Sequence, residues 1–212
     1  MKSKSKEGTL LIIIGLLLIA ASLFLIGYNL YDEYRAGESA ERVLTVLQEN
    51  TPDSSTVESS AQARLKPDPM ELPDYILNPD MEMPTAEIEG HYYIGILEIP
   101  SLELSLPVMD EWSYPNLKLA PCRYSGSAYN GNFTIAGHNY STHFGPVRNL
   151  EAGDQVIFTD VKGRSFVYEV QTIETLEPTD IEDMLSDEWN LTLFTCTSSG
   201  QTRIAIRCLR AD

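Results

Sequence analysis

Thr192-Leu193-Phe194-Thr195-Cys196-Thr197-Ser198-Ser199-Gly200-Gln201-Thr202-Arg203-Ile204-Ala205-Ile206-Arg207 is the stretch on which the reading of this chain turns. Residues 192–195 are β-branched or bulky apolar, the composition of a strand, and that strand ends at Cys196. Residues 197–202 form a polar Ser/Gly turn. Arg203 then opens a second strand, 203–210, in which arginine alternates with small and apolar residues. A cysteine leaving one strand and an arginine entering the next can face the same space. The guanidinium is always charged and offers a rigid fork of donors. Beside a thiol it favours the thiolate or donates to an oxyanion formed next to the sulfur.

A reactive thiol needs a proton partner, and the chain has three histidines, His91, His138 and His143. His138 ends the apolar run Phe133-Thr134-Ile135-Ala136-Gly137-His138-Asn139, so it stands at a strand mouth, a good place for acid/base work. His143 falls in a polar loop and reads as a surface or rim residue. Cys196, His138 and Arg203 therefore make a candidate nucleophile, proton carrier and oxyanion donor. The bland alternative is that Cys196 is a small core hydrophobe. A zinc site from His138, His143 and Cys196 is disfavoured, because no short Cys/His pairs of ligand spacing occur. Arg207 rivals Arg203, since residues four apart in a strand share a face, but Arg203 adjoins the turn that leaves Cys196. Arg207 reads as a paired surface charge.

Thr192-Leu193-Phe194-Thr195-Cys196 matches the T-L-x-T-C signature of the sortases. Arg203 opens the following strand as the family's arginine does, and Gly137-His138-Asn139 resembles its histidine segment. The likeness covers about 92–210, with the motifs in the family's order. It implies a closed eight-stranded antiparallel β-barrel with short helices, preceded by one N-terminal transmembrane helix. It implies a membrane-anchored cysteine transpeptidase that cuts an LPxTG-like sorting signal between Thr and Gly. The acyl group then passes to an amine of a cell-wall precursor or a pilin lysine. Cys196 would be the nucleophile, His138 the acid/base and Arg203 the oxyanion donor, with Thr195, Thr197 and Asn139 expected to contact substrate. This chemistry calls for no cofactor or metal. A tethered, non-catalytic β-domain that binds envelope proteins and a cysteine hydrolase are the competing readings.

Composition narrows the partners. The 212 residues carry a formal charge of −16, against the basic patches that nucleic acid requires. Apolar residues make up 43%, enough for a sizeable core. Three cysteines, Cys122, Cys196 and Cys208, leave at least one thiol free. Cys208 shares strand parity with Ile204 and Ile206, which favours a buried thiol over a Cys122–Cys208 disulfide. No acidic run is spaced as a calcium loop.

In chain order, 1–8 is a short basic tail expected in the cytoplasm. Residues 9–30 carry no charge and are long enough to cross a bilayer as a helix, closing near Tyr28 and Tyr31. A cleaved signal peptide has a shorter apolar region. The lysines ahead of the span place the remainder outside the cell membrane. Residues 31–88 read as a juxtamembrane helix with the apolar stripe Val43, Leu44 and Leu47, then a flexible proline-rich linker. The catalytic domain, 89–212, is expected to hold strands at 92–99, 104–109, 132–136, 155–159, 164–175, 190–195 and 203–210. Thr179 and Glu182 are spaced as a capping box for a short helix. Asp68-Pro69-Met70 resembles the Asp-Pro-aromatic lid of the pilus-building sortases. Met70 replaces the aromatic and no apolar span follows Arg210, and both departures disfavour the pilus-polymerising class.

Overall fold

A computed structural model describes residues 3–51 and 72–211, with side chains from residue 8 onward. The lid-like Asp68-Pro69-Met70 lies outside the described residues. A long helix α1 (Ser3–Asn50) precedes a one-turn helix α2 (Asp74–Leu77) and the strands β1 (Ala86–Ile88), β2 (His91–Ile99) and β3 (Leu104–Met109). Helix α3 (Tyr114–Leu117) leads to β4 (Cys122–Ser125), β5 (Phe133–Ala136), β6 (Gln155–Asp160) and β7 (Ser165–Leu176). Helix α4 (Ile181–Met184), β8 (Leu191–Cys196) and β9 (Arg203–Arg210) complete the chain.

Strands β2 to β9 close into an eight-stranded barrel in the order β2-β3-β4-β5-β8-β9-β7-β6, and the β2–β6 pairing seals it. Strand β1 adds a short hairpin arm to β2. Six of the neighbouring pairs are antiparallel; β3–β4 and β5–β8 are parallel. The all-antiparallel expectation thus gives way at two seams. Long connections cross the barrel ends there, so a strand can return beside an earlier one in the same sense. At the closing seam, a Cβ on Gly95 would stand 2.1 Å from the Thr159 carbonyl oxygen, so no larger residue fits.

Alternation along each strand separates two apolar layers. Phe133, Ile135, Phe158, Phe166, Tyr168, Leu191, Leu193, Ile206 and Cys208 fill the barrel interior. A second layer lies outside the wall, where Val43 and Leu47 of α1 pack on Ile96, Met109, Leu117, Cys122 and Ala136. The thin stripe expected for a juxtamembrane helix is therefore docked. Ala36, Ala40, Val43 and Leu47 are all buried at helical spacing. Burying Val43 and Leu47 contributes roughly 1.5–3 kcal/mol each. Leu10, Leu16, Leu23 and Leu30, on the N-terminal half of the same helix, are exposed. Among the described residues, α1 is the one helix long and apolar enough to cross a membrane.

The folded unit also takes in residues ahead of 89. Met83 is buried in the core, and Tyr75 stacks on Tyr129 with ring centroids 5.0 Å apart. Within the proline-rich stretch, α2 forms after Pro73, where a proline ahead of the first turn costs no helical hydrogen bond. The capping box at α4 does not form. Asp180 is the N-cap residue, and its carboxylate accepts instead from the Glu177 backbone N–H at 3.1 Å. The three thiols are unpaired: Cys208 lies inside the barrel and Cys122 outside, beneath α1.

Candidate active site

Register brings the three expected residues together. Strands β5 and β8 run in parallel with Ala136 opposite Phe194, and the Gly137 N–H donates to the Phe194 carbonyl at 3.0 Å. One residue further along the chain comes His138, just past the end of β5 and at the same end of the barrel as Cys196. On the other flank Cys196 pairs directly with Arg203 across the β8–β9 hairpin. Directly opposed residues present their side chains on one face. Leu191, Leu193 and Thr195 point inward, so Phe194 and Cys196 point outward. Cys196 and Arg203 thus share the outer face of the wall, His138 follows the end of the neighbouring strand, and all three are partly exposed.

Two loops hold this arrangement. The Asn139 amide donates to the Thr197 carbonyl at 3.3 Å, tying the loop after His138 to the turn after Cys196. Arg148 reinforces the tie: it donates to Asn139 Oδ1, to Ser198 Oγ at 2.8 Å and to the Gly145 carbonyl at 2.7 Å. Thr197 Oγ1 is engaged within its own turn by Thr202. Asn139 and Thr197 are therefore at the site, where they brace its loops. Thr195 is not brought to it: the side chain is 1% exposed and points into the barrel. A Cβ on Gly137 would meet the Phe144 ring at 2.3 Å, so glycine lets the histidine loop fold against that buried ring.

The two arginines part company. Arg203 Nη1 donates to the Gly200 and Thr202 carbonyls, each at 3.2 Å, and the side chain lines an outer cleft. Arg207 is 2% exposed, so it is not the surface charge expected. Its guanidinium donates to Glu174 Oε2, to Thr192 Oγ1 and to the Met184 and Asp183 carbonyls. Helix α4 lies over it, and its donors are committed to structure.

His143 also departs from expectation, being 0% exposed between the barrel and α1. Burial pushes its pKa down to about 4. Burial likewise lowers the pKa of His138; Lys118 adds to this effect and Asp32 opposes it. The His138 ring stacks on Tyr140, with centroids 4.6 Å apart and planes at 22°.

A cleft of about 190 Å³ opens beside Arg203, walled by Trp112, Tyr114, Tyr124, Ile181 and Phe194 and edged by Glu177 and Asp180. Sequence reading passed over Trp112, Tyr114 and Arg148. The signal for the first two was there, as aromatic residues in a short irregular stretch with no strand to pack into.

A family model for the sortase domain matches residues 97–211. The chain is 27% identical to sortase A of Bacillus anthracis, over 88% of this chain and 86% of that protein. It is 25% identical to sortase D of Bacillus subtilis, over 87% and 88% respectively. Among solved structures, a Clostridium perfringens sortase D5 transpeptidase superposes with a TM-score of 0.57 at 20% identity, covering 82% of this chain and 99% of that one. Sortase C1 of Streptococcus agalactiae superposes at 0.53 with 23% identity, over 59% and 71%. The family model covers more than half of the chain, and the chain belongs to the sortase family.

Proposed function

We propose that the protein is a membrane-anchored cysteine transpeptidase acting on LPxTG-like sorting signals. The observation that supports this reading is Cys196 paired with Arg203 across the β8–β9 hairpin, with the segment around His138 tied to the same end of β8 by the Gly137–Phe194 and Asn139–Thr197 hydrogen bonds. The Cys196 sulfur attacks the threonine carbonyl carbon as its proton passes to His138. Arg203 donates to the oxyanion of the tetrahedral intermediate. The carbon–nitrogen bond to glycine then breaks, and the imidazolium gives its proton to the departing amine. An incoming amine attacks the thioester, His138 accepts its proton, and the thiolate leaves. The aromatic cleft beside Arg203 offers an apolar seat for the leucine and proline of such a signal. The exposed apolar half of α1 serves as the anchor, with the basic N-terminal tail inside the cell and the barrel outside.

The test is incubation of the full chain with sorting-signal peptides, with and without an amine acceptor, followed by mass spectrometry. An acyl adduct on Cys196 and an amine-joined product are expected, and Cys196→Ala should give neither. Cleavage retained in Cys196→Ala would remove the reading; cleavage with water as the only acceptor would reduce it to a hydrolase.

A further inference from the structure

The long helix does more than hold the barrel against its outer wall. At its membrane-side end, Asp32 Oδ2 accepts from the Tyr140 hydroxyl at 3.0 Å and from Lys118 Nζ at 3.0 Å. Tyr140 is the residue on which the His138 ring lies. One residue along the helix, the Glu33 carboxylate accepts from both the N–H and the hydroxyl of Ser141. One turn further, a Cβ on Gly37 would stand 2.9 Å from Thr142, and His143 is buried against this same stretch of helix. The loop 138–143 is thus gripped at successive residues by α1. The charged and titratable groups around His138 are Asp32 and Glu33 on α1, Lys118 after α3, Tyr140 and His143 in its own loop, and Cys196 and Arg203 on the barrel.

We propose that Asp32, acting through Tyr140, is a positioning residue for His138, so that the helix carrying the apolar span completes the active site. The proposal rests on His138 being the proton carrier. The Asp32 carboxylate fixes the Tyr140 hydroxyl, and the fixed ring holds one face of the imidazole. An aromatic face within about 6 Å also favours an imidazolium over it. Asp32 supplies the negative charge that favours the same form, while it pairs Lys118, which disfavours it. Replacing Asp32 by a neutral residue removes the favourable charge and releases the unfavourable one. Both changes act in one direction, toward a weaker hold on the proton.

The decisive measurement is the titration of His138 by NMR in the full chain, in detergent micelles with ring-labelled histidine, for wild type, Asp32→Asn, Tyr140→Phe and Glu33→Gln. His138→Gln assigns the resonance. In Asp32→Asn the His138 midpoint should move to lower pH, while His91 stays in place. In Glu33→Gln, which loosens the same docking but contacts neither Tyr140 nor Lys118, the shift should be clearly smaller than in Asp32→Asn. An unmoved His138 in Asp32→Asn, or an equal shift in Glu33→Gln, overturns the proposal. Turnover supplies the second arm. kcat should fall by up to about 10²-fold in Asp32→Asn, the cost of a reacting group misplaced by about 1 Å, with KM unchanged. The Asp32→Asn/Tyr140→Phe double variant should be no worse than the poorer single, since the Tyr140 hydroxyl acts only through Asp32. Additive losses argue for two unrelated defects and overturn the proposal. The titration needs no substrate, so absence of wild-type turnover would count against the transpeptidase reading while the NMR still decides this one.

Discussion

Arg203 and Arg207 point from the same strand face, yet their replacement by alanine should damage different quantities. Arg207 is the costly one to the fold. Its bonds to the Met184 carbonyl and Thr192 Oγ1 are buried, and a hydrogen bond to a charged group is worth roughly 1.5–3 kcal/mol. The Glu174 partner is 40% exposed, so that contact contributes only about 0–1 kcal/mol. Releasing the guanidinium from its own desolvation offsets part of the loss. A net cost of about 3 kcal/mol follows, equivalent to a fall in melting temperature of roughly 10 °C for a domain of this size. Arg203 makes two bonds, both from Nη1 to carbonyls of the adjacent turn, so Arg203→Ala should cost the fold no more than about 1 kcal/mol. Its loss should fall on catalysis, at about 10²–10³ in kcat/KM for one oxyanion donor. Arg203→Lys should recover little of it, because an ammonium lacks the guanidinium fork. The assay is kcat/KM on one sorting-signal peptide at a temperature where all variants are folded, beside thermal melts by circular dichroism. A normal melt for Arg207→Ala with a severe rate loss, or a normal rate for Arg203→Ala, would refute the reasoning.

Truncation separates the span from the docked helix. A chain of residues 31–212 should stay folded and active. A chain of 52–212 should lose roughly 3–6 kcal/mol from Val43 and Leu47 alone and aggregate through Ile96 and Met109, as read by melts and light scattering. A small thiol reagent at pH 8 should modify Cys196 alone by peptide mass mapping, because burial pushes the Cys122 and Cys208 thiols up to about 12. His143 should make the fold acid-sensitive. Its pKa falls from an ordinary 6.5 to about 4 on burial, so the folded state binds fewer protons between those values. Stability is then full above pH 6.5, declines as pH falls toward 4, and loses about 3 kcal/mol in all. His143→Leu should flatten that part of the melting-temperature profile; an unchanged slope would assign the acid sensitivity elsewhere.

The strands that carry the site were readable because they alternate cleanly. Leu191 and Leu193 in β8, and Ile206 and Cys208 in β9, sit two apart and face the interior, which places Cys196 and Arg203 on the outer face. The turn 197–202 announces the hairpin by its Ser/Gly composition, so the Cys196–Arg203 pairing follows from local chemistry. His138 at the end of an apolar run is equally local. Its place beside Cys196 is not, because the β5–β8 pairing is parallel and joins strands separated by β6, β7 and α4. The need of a thiol for a proton partner and the family likeness linked the two, without the pairing itself being readable. Thr195 shows the limit of adjacency: it neighbours Cys196 in sequence but, at a period of two, points to the opposite side of the wall.

What stayed hidden depends on surfaces supplied by distant segments. Arg203 and Arg207 are equivalent by strand parity, and both begin as candidates on one outward face. The difference arises when α4 folds over β9 and offers the Asp183 and Met184 carbonyls to Arg207, leaving Arg203 beside the open cleft. Nothing within the strand encodes that cover. The stripe Val43, Leu44 and Leu47 was visible as a helical period, and an apolar period states that a face is covered without stating by what. The barrel wall answers it, with Ile96, Met109 and Ala136 left outward at positions where a solvated strand would carry polar residues. Two half-signals, an apolar helix face and an apolar outer wall, thus account for each other. Their contact carries Asp32 to Tyr140, and so joins a segment that reads as a mere tether to the ring that holds His138.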